Sequence, residues 1–272
     1  MTATVRDIVA EWADDYLSFL DAIKAPTVYR GKPLTPQQED VWDSVIENKR
    51  TACKSGNGTG KDWLAARIAV WYALVNGIKE PHEAIVLTSS PQEKHLKKVL
   101  WGEIRAVMAN ALAFTGGNLM PGECEWYADR IAFPKWYIKG IVANARRRVG
   151  SIEHAEVAFS CYSGANVMII WDEACDIPDH IWEAVSPMIS GPNHRLLAIG
   201  NPVKVTTGFY QCFSAPTYSH ITLSSREAAG YGIQNVPGMA TKEMVADLEL
   251  EYGEGSGYVA AHVDGDFPES EA

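Results

Sequence analysis

The sequence predicts an α/β domain with a mostly parallel sheet flanked by helices. Short apolar segments alternate with helix-length segments or long connections, which is typical of crossovers between parallel strands. Several of them are continuous apolar runs, as expected of strands buried on both faces. A glycine-rich loop before a long helix is the third observation. The candidate strands are TACKSG, AIVLTSS, WYIKGIVAN, VMIIWDEA, RLLAIGNP and SHITLSS.

Composition places the chain among packed globular proteins. It has 272 residues, of which 47% are hydrophobic and 21% charged, enough for one large domain or a core with a small lid. No apolar run is long enough to cross a bilayer. The net charge of −10 argues against a surface coated with basic residues but permits a local basic patch. Five cysteines without CxxC spacing predict a reducing cytosol and no zinc site.

Three helices are indicated clearly by the sequence. An apolar stripe from Val5 to Ile23 predicts an N-terminal helix. Ser90 as N-cap, followed by Pro91, predicts the start of another helix after AIVLTSS. The segment after Thr241 predicts a third near the end of the sequence.

The segment KSGNGTGKD predicts a phosphate-binding loop. It follows a candidate strand and opens a helix predicted over residues 63–75. Glycines let backbone N–H groups turn toward phosphate oxygens, and a helix N-terminus adds partial positive charge. Lys61 would reach the β and γ phosphates. The alternative is a glycine-rich turn that happens to precede a helix.

Two residues of this loop depart from the GxxxxGK[ST] pattern. Ser55 replaces the first glycine, a mild change if its φ stays negative. Asp62 stands where a magnesium-binding hydroxyl is usual. A carboxylate there either binds Mg²⁺ or repels the phosphates when no metal is present. Because Mg²⁺ prefers oxygen ligands, the first option is favoured.

Polar residues follow two further candidate strands. In VMIIWDEA, Asp172 and Glu173 come at the carboxyl end of a buried strand, where parallel sheets build their sites. Asp172 would hold Mg²⁺ and Glu173 would activate the attacking water. In RLLAIGNP, Asn201 would sense the γ phosphate, although a simple turn is the alternative.

The ordered set LTPQQ, SGNGTGKD, IIWDEA and AIGNP resembles the ATPase half of a tailed-phage large terminase subunit, a DNA-packaging motor. The likeness spans residues 30 to 268. It implies a P-loop NTPase core of the ASCE/RecA-like type with a small helical lid, which hydrolyses ATP with Mg²⁺ to move double-stranded DNA into a procapsid. It also implies a homo-oligomeric ring of about five subunits, or a monomer in isolation. Portal protein and a small terminase subunit are the implied partners, in the bacterial host cytoplasm with transient docking on the procapsid. The resemblance implies no membrane partner.

The resemblance also implies roles for individual residues. Gln38, with Gln37 as the fallback, would face adenine. Lys61 and Asp62 match the Walker A lysine and its metal-binding neighbour, Asp172 and Glu173 match the Walker B aspartate and catalytic glutamate, and Asn201 matches the coupling motif. The implied nucleotide-binding loop is Ser55, Gly56, Asn57, Gly58, Thr59, Gly60, Lys61 and Asp62.

The expected domain organisation follows from the same resemblance. Residues 26–225 would form the core, residues 1–25 and 226–262 the lid, and residues 263–272 the start of a linker. The family carries a C-terminal nuclease domain, which we expect to be absent here together with its activity.

Two basic clusters are candidates for contacts with phosphate groups. One of Arg146, Arg147 and Arg148, with Arg146 preferred, would act as an arginine finger across a ring interface. A second cluster, on the helix after AIVLTSS, would contact the DNA backbone. It consists of Lys94, Lys97 and Lys98. Solvated basic surfaces are the alternative for both clusters.

Two other functions fit the same motifs. A helicase-like DNA-dependent ATPase would share the loop and the acid pair, but it would need a second RecA-like domain. A non-hydrolysing nucleotide-binding interaction module would result if Asp62 disabled the site.

Overall fold

The structure is a computed structural model. It describes residues 4–78, 83–117, 119, 124–143, 162–233 and 236–269. In chain order, the strands are β1 (Arg50–Ser55), β2 (Ala84–Ser90), β3 (Glu125–Trp126), β4 (Arg130–Phe133), β5 (Trp136–Val142), β6 (Asn166–Asp172), β7 (Arg195–Gly200) and β8 (Ser219–Leu223). They form an eight-stranded sheet in the order β3-β4-β5-β2-β6-β7-β1-β8.

Helices occupy most connections between these strands. The α-helices are α1 (Val5–Asp14), α2 (Tyr16–Ala22), α3 (Pro36–Glu47), α4 (Lys61–Ile78), α5 (Glu93–His95), α6 (Trp101–Phe114), α7 (Asp179–Val185), α8 (Gly208–Cys212), α9 (Ser225–Gly230), α10 (Lys242–Tyr252) and α11 (Gly257–Val259). Two π-helices, Leu96–Leu100 and Ala260–Asp264, follow α5 and α11.

All six predicted strands are present, as β1, β2 and β5 to β8, so the predicted α/β class is confirmed. The pairs β1–β7, β1–β8 and β2–β5 are parallel, as the crossover argument predicts. The antiparallel pairs β3–β4 and β4–β5 were not predicted. β3 is only two residues long and exposed, which leaves no apolar run to detect.

The chain divides into two compact units. The first comprises Met1–Ala25, Asp62–Ile170 and Glu183–His194. In it, α4 is buried along most of its length, and the indole N–H of Trp71 on α4 donates to the carbonyl of Trp12 on α1 at 2.7 Å. The single N-terminal helix predicted from the apolar stripe is in fact two helices, α1 and α2. The break lies at Asp15, whose side chain accepts the N–H of Leu17 and caps α2.

One predicted helix start in this unit was wrong. Ser90 is the last residue of β2 and does not cap a helix. α5 starts only at Glu93, after Gln92, and continues into the first π-helix and then α6. Ser90 pairs with Val142 in the β2–β5 ladder, so its backbone belongs to the sheet.

The second unit comprises Pro26–Lys61, Trp171–Trp182 and Arg195–Ala272. β1 lies between β7 and β8, with Cys53 opposite Ile199 on one side and Ile221 on the other. The predicted helix after Thr241 is confirmed as α10. Helices α9 to α11 surround a small apolar core of Ala228, Ala229, Ala240, Val245, Val259 and Val263. The division into core, lid and linker stays a prediction.

The described residues bear on the predictions about membrane spans and cysteines. None of their helices is both long and apolar enough to cross a membrane. Four cysteines lie in this part of the chain as free thiols: Cys53, Cys124, Cys175 and Cys212.

Candidate functional site

The loop between β1 and α4 has a backbone that requires glycine at two positions. Gly58 and Gly60 have φ angles of 66° and 77°, in the left-handed region that L side chains rarely adopt. A Cβ at Gly58 would lie 2.7 Å from the amide nitrogen of Ala240. Because α4 begins directly at Lys61, the partial positive charge of its N-terminus lies at the end of the loop.

Ser55 fits the loop without backbone strain. It is the last residue of β1 and is not one of the non-glycine residues with positive φ in the described part of the chain. Those residues are Lys24, Arg30 and Glu173. Its hydroxyl donates to the carbonyl of Gly56 at 2.8 Å and lies 2.7 Å from the hydroxyl of Thr59. The serine therefore adds a link across the loop, and the expectation of a negative φ is confirmed.

The first two loop amides are already occupied by protein carbonyls. The N–H of Gly56 donates to Leu223 at 2.8 Å, and the N–H of Asn57 donates to His262 at 2.7 Å. In this conformation the amides of Gly56 and Asn57 are therefore engaged within the protein, and phosphate binding by residues 55–62 stays a prediction.

The acid pair at the end of β6 reaches the loop through Glu173. Asp172 is fully buried, and its Oδ1 accepts the N–H of Glu173 at 3.0 Å. Glu173 has a left-handed φ of 51°, a conformation that costs a non-glycine residue about 1–3 kcal/mol. Its Oε1 lies 3.4 Å from Nζ of Lys61. The structure thus brings together the lysine and the glutamate that the sequence predicted would share a site.

Asn201 contacts the same loop from the end of β7. Its Nδ2 donates to the carbonyl of Ser55 at 2.8 Å and to Oδ1 of Asn57 at 3.1 Å. The preceding Gly200 packs so closely on the Glu173 turn that a Cβ would lie 2.8 Å from the amide nitrogen of Ala174. The end of β7 therefore touches both the loop and the acid turn.

The two glutamines predicted to face adenine are engaged elsewhere. Gln38 donates to the carbonyl of Thr59 at 2.9 Å and accepts the N–H of Thr35 at 3.0 Å. Gln37 exchanges two hydrogen bonds with the backbone of Ser224. In this conformation Gln38 supports the glycine-rich loop at Thr59, and the adenine role of both residues stays a prediction.

Sequence reasoning missed two residues that contact the loop. The hydroxyl of Ser225 donates to the carbonyl of Asn57 at 2.7 Å. His262, whose carbonyl holds Asn57, lies in the field of Lys61 and Glu173. Burial lowers the pKa of His262, Lys61 lowers it further, and Glu173 opposes both effects. Ser225 is the last residue of the candidate strand SHITLSS, so its position at the carboxyl end of a strand was a signal in the sequence. No local pattern marks His262.

Asp62 lies in the first turn of α4 and has a neighbour that the sequence did not suggest. Nε2 of His95, at the end of α5, lies 3.9 Å from Oδ1 of Asp62. Both side chains are partly buried, with exposed fractions of 26% for His95 and 23% for Asp62.

The predicted DNA-binding lysines lie on the same short helix and on the π-helix that follows it. Lys94, Lys97 and Lys98 are exposed, and Nζ of Lys97 lies 2.6 Å from a carboxylate oxygen of Glu93. That hydrogen bond raises the pKa of Lys97. The predicted arginine finger, Arg146 with its alternatives Arg147 and Arg148, lies outside the described residues.

Comparison with known proteins identifies phage relatives. No protein-family model matches the chain. A curated protein described as a probable terminase, large subunit, from Enterobacteria phage P7 is 22% identical over 278 residues, covering 98% of this chain and 51% of the relative. The chain thus spans about half the length of that relative.

Solved structures of phage terminases share the fold. A mutant of the Thermus phage P74-26 large terminase ATPase domain matches with a TM-score of 0.66 and 14% identity, covering 92% of this chain and 97% of that one. A large terminase from a thermophilic bacteriophage, in complex with ATP-gamma-S, matches with a TM-score of 0.52 and 12% identity, covering 81% and 50%.

The fold is therefore that of the large terminase ATPase domains, a mostly parallel P-loop sheet flanked by helices. This confirms the resemblance and the fold class that the sequence predicted.

Proposed function

We propose that this chain, which has the fold of the large terminase ATPase domains, is an ATP-hydrolysing motor that drives double-stranded DNA into a viral procapsid. The observation that carries the proposal is the 3.4 Å approach of Glu173 Oε1 to Lys61 Nζ. It puts a carboxylate base beside the lysine of a glycine-rich loop at a helix N-terminus.

In the proposed reaction, amides of residues 58–62 and the side chain of Lys61 bind the phosphates. Lys61 would exchange Glu173 for a phosphate oxygen, which frees the carboxylate to accept a proton from the attacking water. Asn201 donates to the loop at Ser55 and Asn57, and the preceding Gly200 packs on the Glu173 turn, so this end of β7 would transmit the loss of the γ phosphate.

Asp172 and Asp62 are the proposed Mg²⁺ ligands. A fully buried carboxylate such as Asp172 fits a hard cation that prefers oxygen. When bound, Mg²⁺ neutralises charge that develops on the transferred phosphoryl group.

Phosphate release in the presence of Mg²⁺, with and without duplex DNA, tests the proposed function. We expect measurable release from the chain and acceleration by duplex. Acceleration by single strands alone would favour a helicase-like ATPase. Nucleotide binding without any release would favour the non-hydrolysing interaction module.

Replacing Asn201 by Ala should uncouple the loop from the acid turn. The variant loses two hydrogen bonds, each of which contributes about 1 kcal/mol, so we expect turnover to fall by up to about thirtyfold. ADP affinity, measured by calorimetry, should change less than turnover. Asn110→Ala is the matched control, because Asn110 also donates to a backbone carbonyl, that of Ile23. Equal turnover in both variants would remove Asn201 from the mechanism.

Replacing Lys94, Lys97 and Lys98 together by Ala should reduce the stimulation by duplex. Lysines that contact phosphates contribute roughly one unit each to the slope of log affinity against log salt. We therefore expect a shallower salt dependence of duplex binding, with basal phosphate release retained. The matched control replaces three other exposed lysines: Lys32, Lys135 and Lys242. If the salt dependence of duplex binding were unchanged, these three lysines would not contact the DNA.

The assembled state is part of the proposal. We infer a homo-oligomeric ring of about five subunits, in which Arg146 reaches the nucleotide of a neighbour. Portal protein and a small terminase subunit would be its partners on the procapsid, in the host cytoplasm. We expect no nuclease activity from this chain.

A further inference from the structure

His95, which lies beside Asp62, has no role in the reaction proposed above. Asp62 occupies the first turn of α4, directly after the phosphate loop. His95 ends α5 and is followed immediately by the π-helix Leu96–Leu100. π-helical turns are rare and occur frequently at functional sites. A phosphate bound next to a carboxylate is repelled by it, and a cation between the two groups offsets that repulsion.

The distance between the two side chains suits a shared metal ion better than a direct hydrogen bond. An N–H···O hydrogen bond spans about 2.7–3.2 Å, whereas Nε2 of His95 and Oδ1 of Asp62 are 3.9 Å apart. Two ligand atoms, each about 2.1 Å from one ion, lie roughly 3–4.2 Å apart. Each residue offers one ligand atom, and both side chains are partly buried.

We propose that His95 is a ligand, together with Asp62, of the divalent cation that serves the nucleotide, and that its imidazole makes the site prefer Mn²⁺ over Mg²⁺. Imidazole nitrogen is a common ligand of first-row transition metals, and Mg²⁺ strongly prefers oxygen. The inference rests on the proposed function at one point: the cation held by His95 and Asp62 would be the one that accompanies the nucleotide.

Mn²⁺ binding to the full chain tests the proposal directly. Free Mn²⁺ is followed by electron paramagnetic resonance during titration, first without nucleotide and then with ADP. His95→Ala and the similarly sized His95→Gln should each weaken Mn²⁺ binding by about tenfold or more. Mg²⁺ affinity, measured by competition, should change much less. Unaltered Mn²⁺ affinity in both variants would overturn the proposal.

His95→Lys separates metal binding from charge. Lysine places a positive charge beside Asp62 but is not expected to bind Mn²⁺ at neutral pH, so we expect the same loss of affinity. If the lysine variant bound Mn²⁺ as tightly as the unmodified chain, residue 95 would supply charge alone and the proposal would fail. His180→Ala, which removes an exposed histidine of α7, is the matched control.

Phosphate release in the same samples distinguishes the two proposals. Release that persists while His95 variants bind Mn²⁺ normally would overturn the metal-ligand inference and leave the motor function standing. His95-dependent Mn²⁺ binding without any phosphate release would support the inference and contradict the ATPase function.

Discussion

Glu173→Gln should lower ATP turnover by about 10²–10⁴-fold, the usual contribution of a positioned general base. An amide keeps the size of the side chain but cannot accept the proton of the attacking water. Binding should survive, because the phosphate loop and Lys61 are unchanged. Affinity for ADP should even rise, since the ion pair that holds Lys61 to Glu173 no longer competes with phosphate.

Single-turnover phosphate release and ADP calorimetry measure the two effects separately. Glu183→Gln is the matched control, because Glu183 is an exposed glutamate of α7. Its turnover should equal that of the unmodified chain. Retained turnover in Glu173→Gln would exclude Glu173 as the base, whereas lost ADP binding would mean that the ion pair serves the loop structure instead.

Gly58→Ala should cost both stability and nucleotide binding. The left-handed φ of 66° strains any L side chain, and the added Cβ would meet the Ala240 backbone at 2.7 Å. Strain and crowding together should cost about 2–4 kcal/mol. We expect the melting temperature to fall by roughly 4–7 °C. ADP affinity should fall at least tenfold, because the loop amides would move.

Gly117→Ala isolates strain from crowding. Gly117 also has a left-handed φ, 80°, but no atom lies within 4 Å of its added Cβ. We expect a loss of only about 1–2 kcal/mol in thermal denaturation and unchanged ADP affinity. Equal effects of the two substitutions on ADP affinity would show that the contact between Gly58 and Ala240 does not shape the site.

Six of the eight strands could be predicted from their own residues, most clearly where the whole strand is buried. Every residue of β6 is buried, so its apolar run is visible without knowledge of its neighbours. The loop and Glu173 could be predicted for a related reason, since parallel strands present their carboxyl ends at one edge. That Glu173 lies close to the loop could therefore be predicted from the order of the strands and from two short motifs.

The remaining features depend on contacts between distant parts of the sequence. Nothing near Gln38 indicates that its amide would bind Thr59, and nothing near Ser225 indicates a bond to Asn57. Ser90 has the local pattern of a helix cap, but its pairing with Val142 across the sheet overrides that preference. Side-chain partners of this kind are set by tertiary packing, which periodicity and spacing do not encode.

The attachment of the loop to His262 has a consequence for biosynthesis. Gly56 packs against the carbonyl of Val263, which would lie 2.6 Å from an added Cβ, and Asn57 is bonded to His262. Chains emerge from the ribosome in order, and contacts between residues far apart in sequence form slowly. A nascent chain therefore cannot fix Gly56 and Asn57 in this arrangement until residues 262 and 263 have been translated.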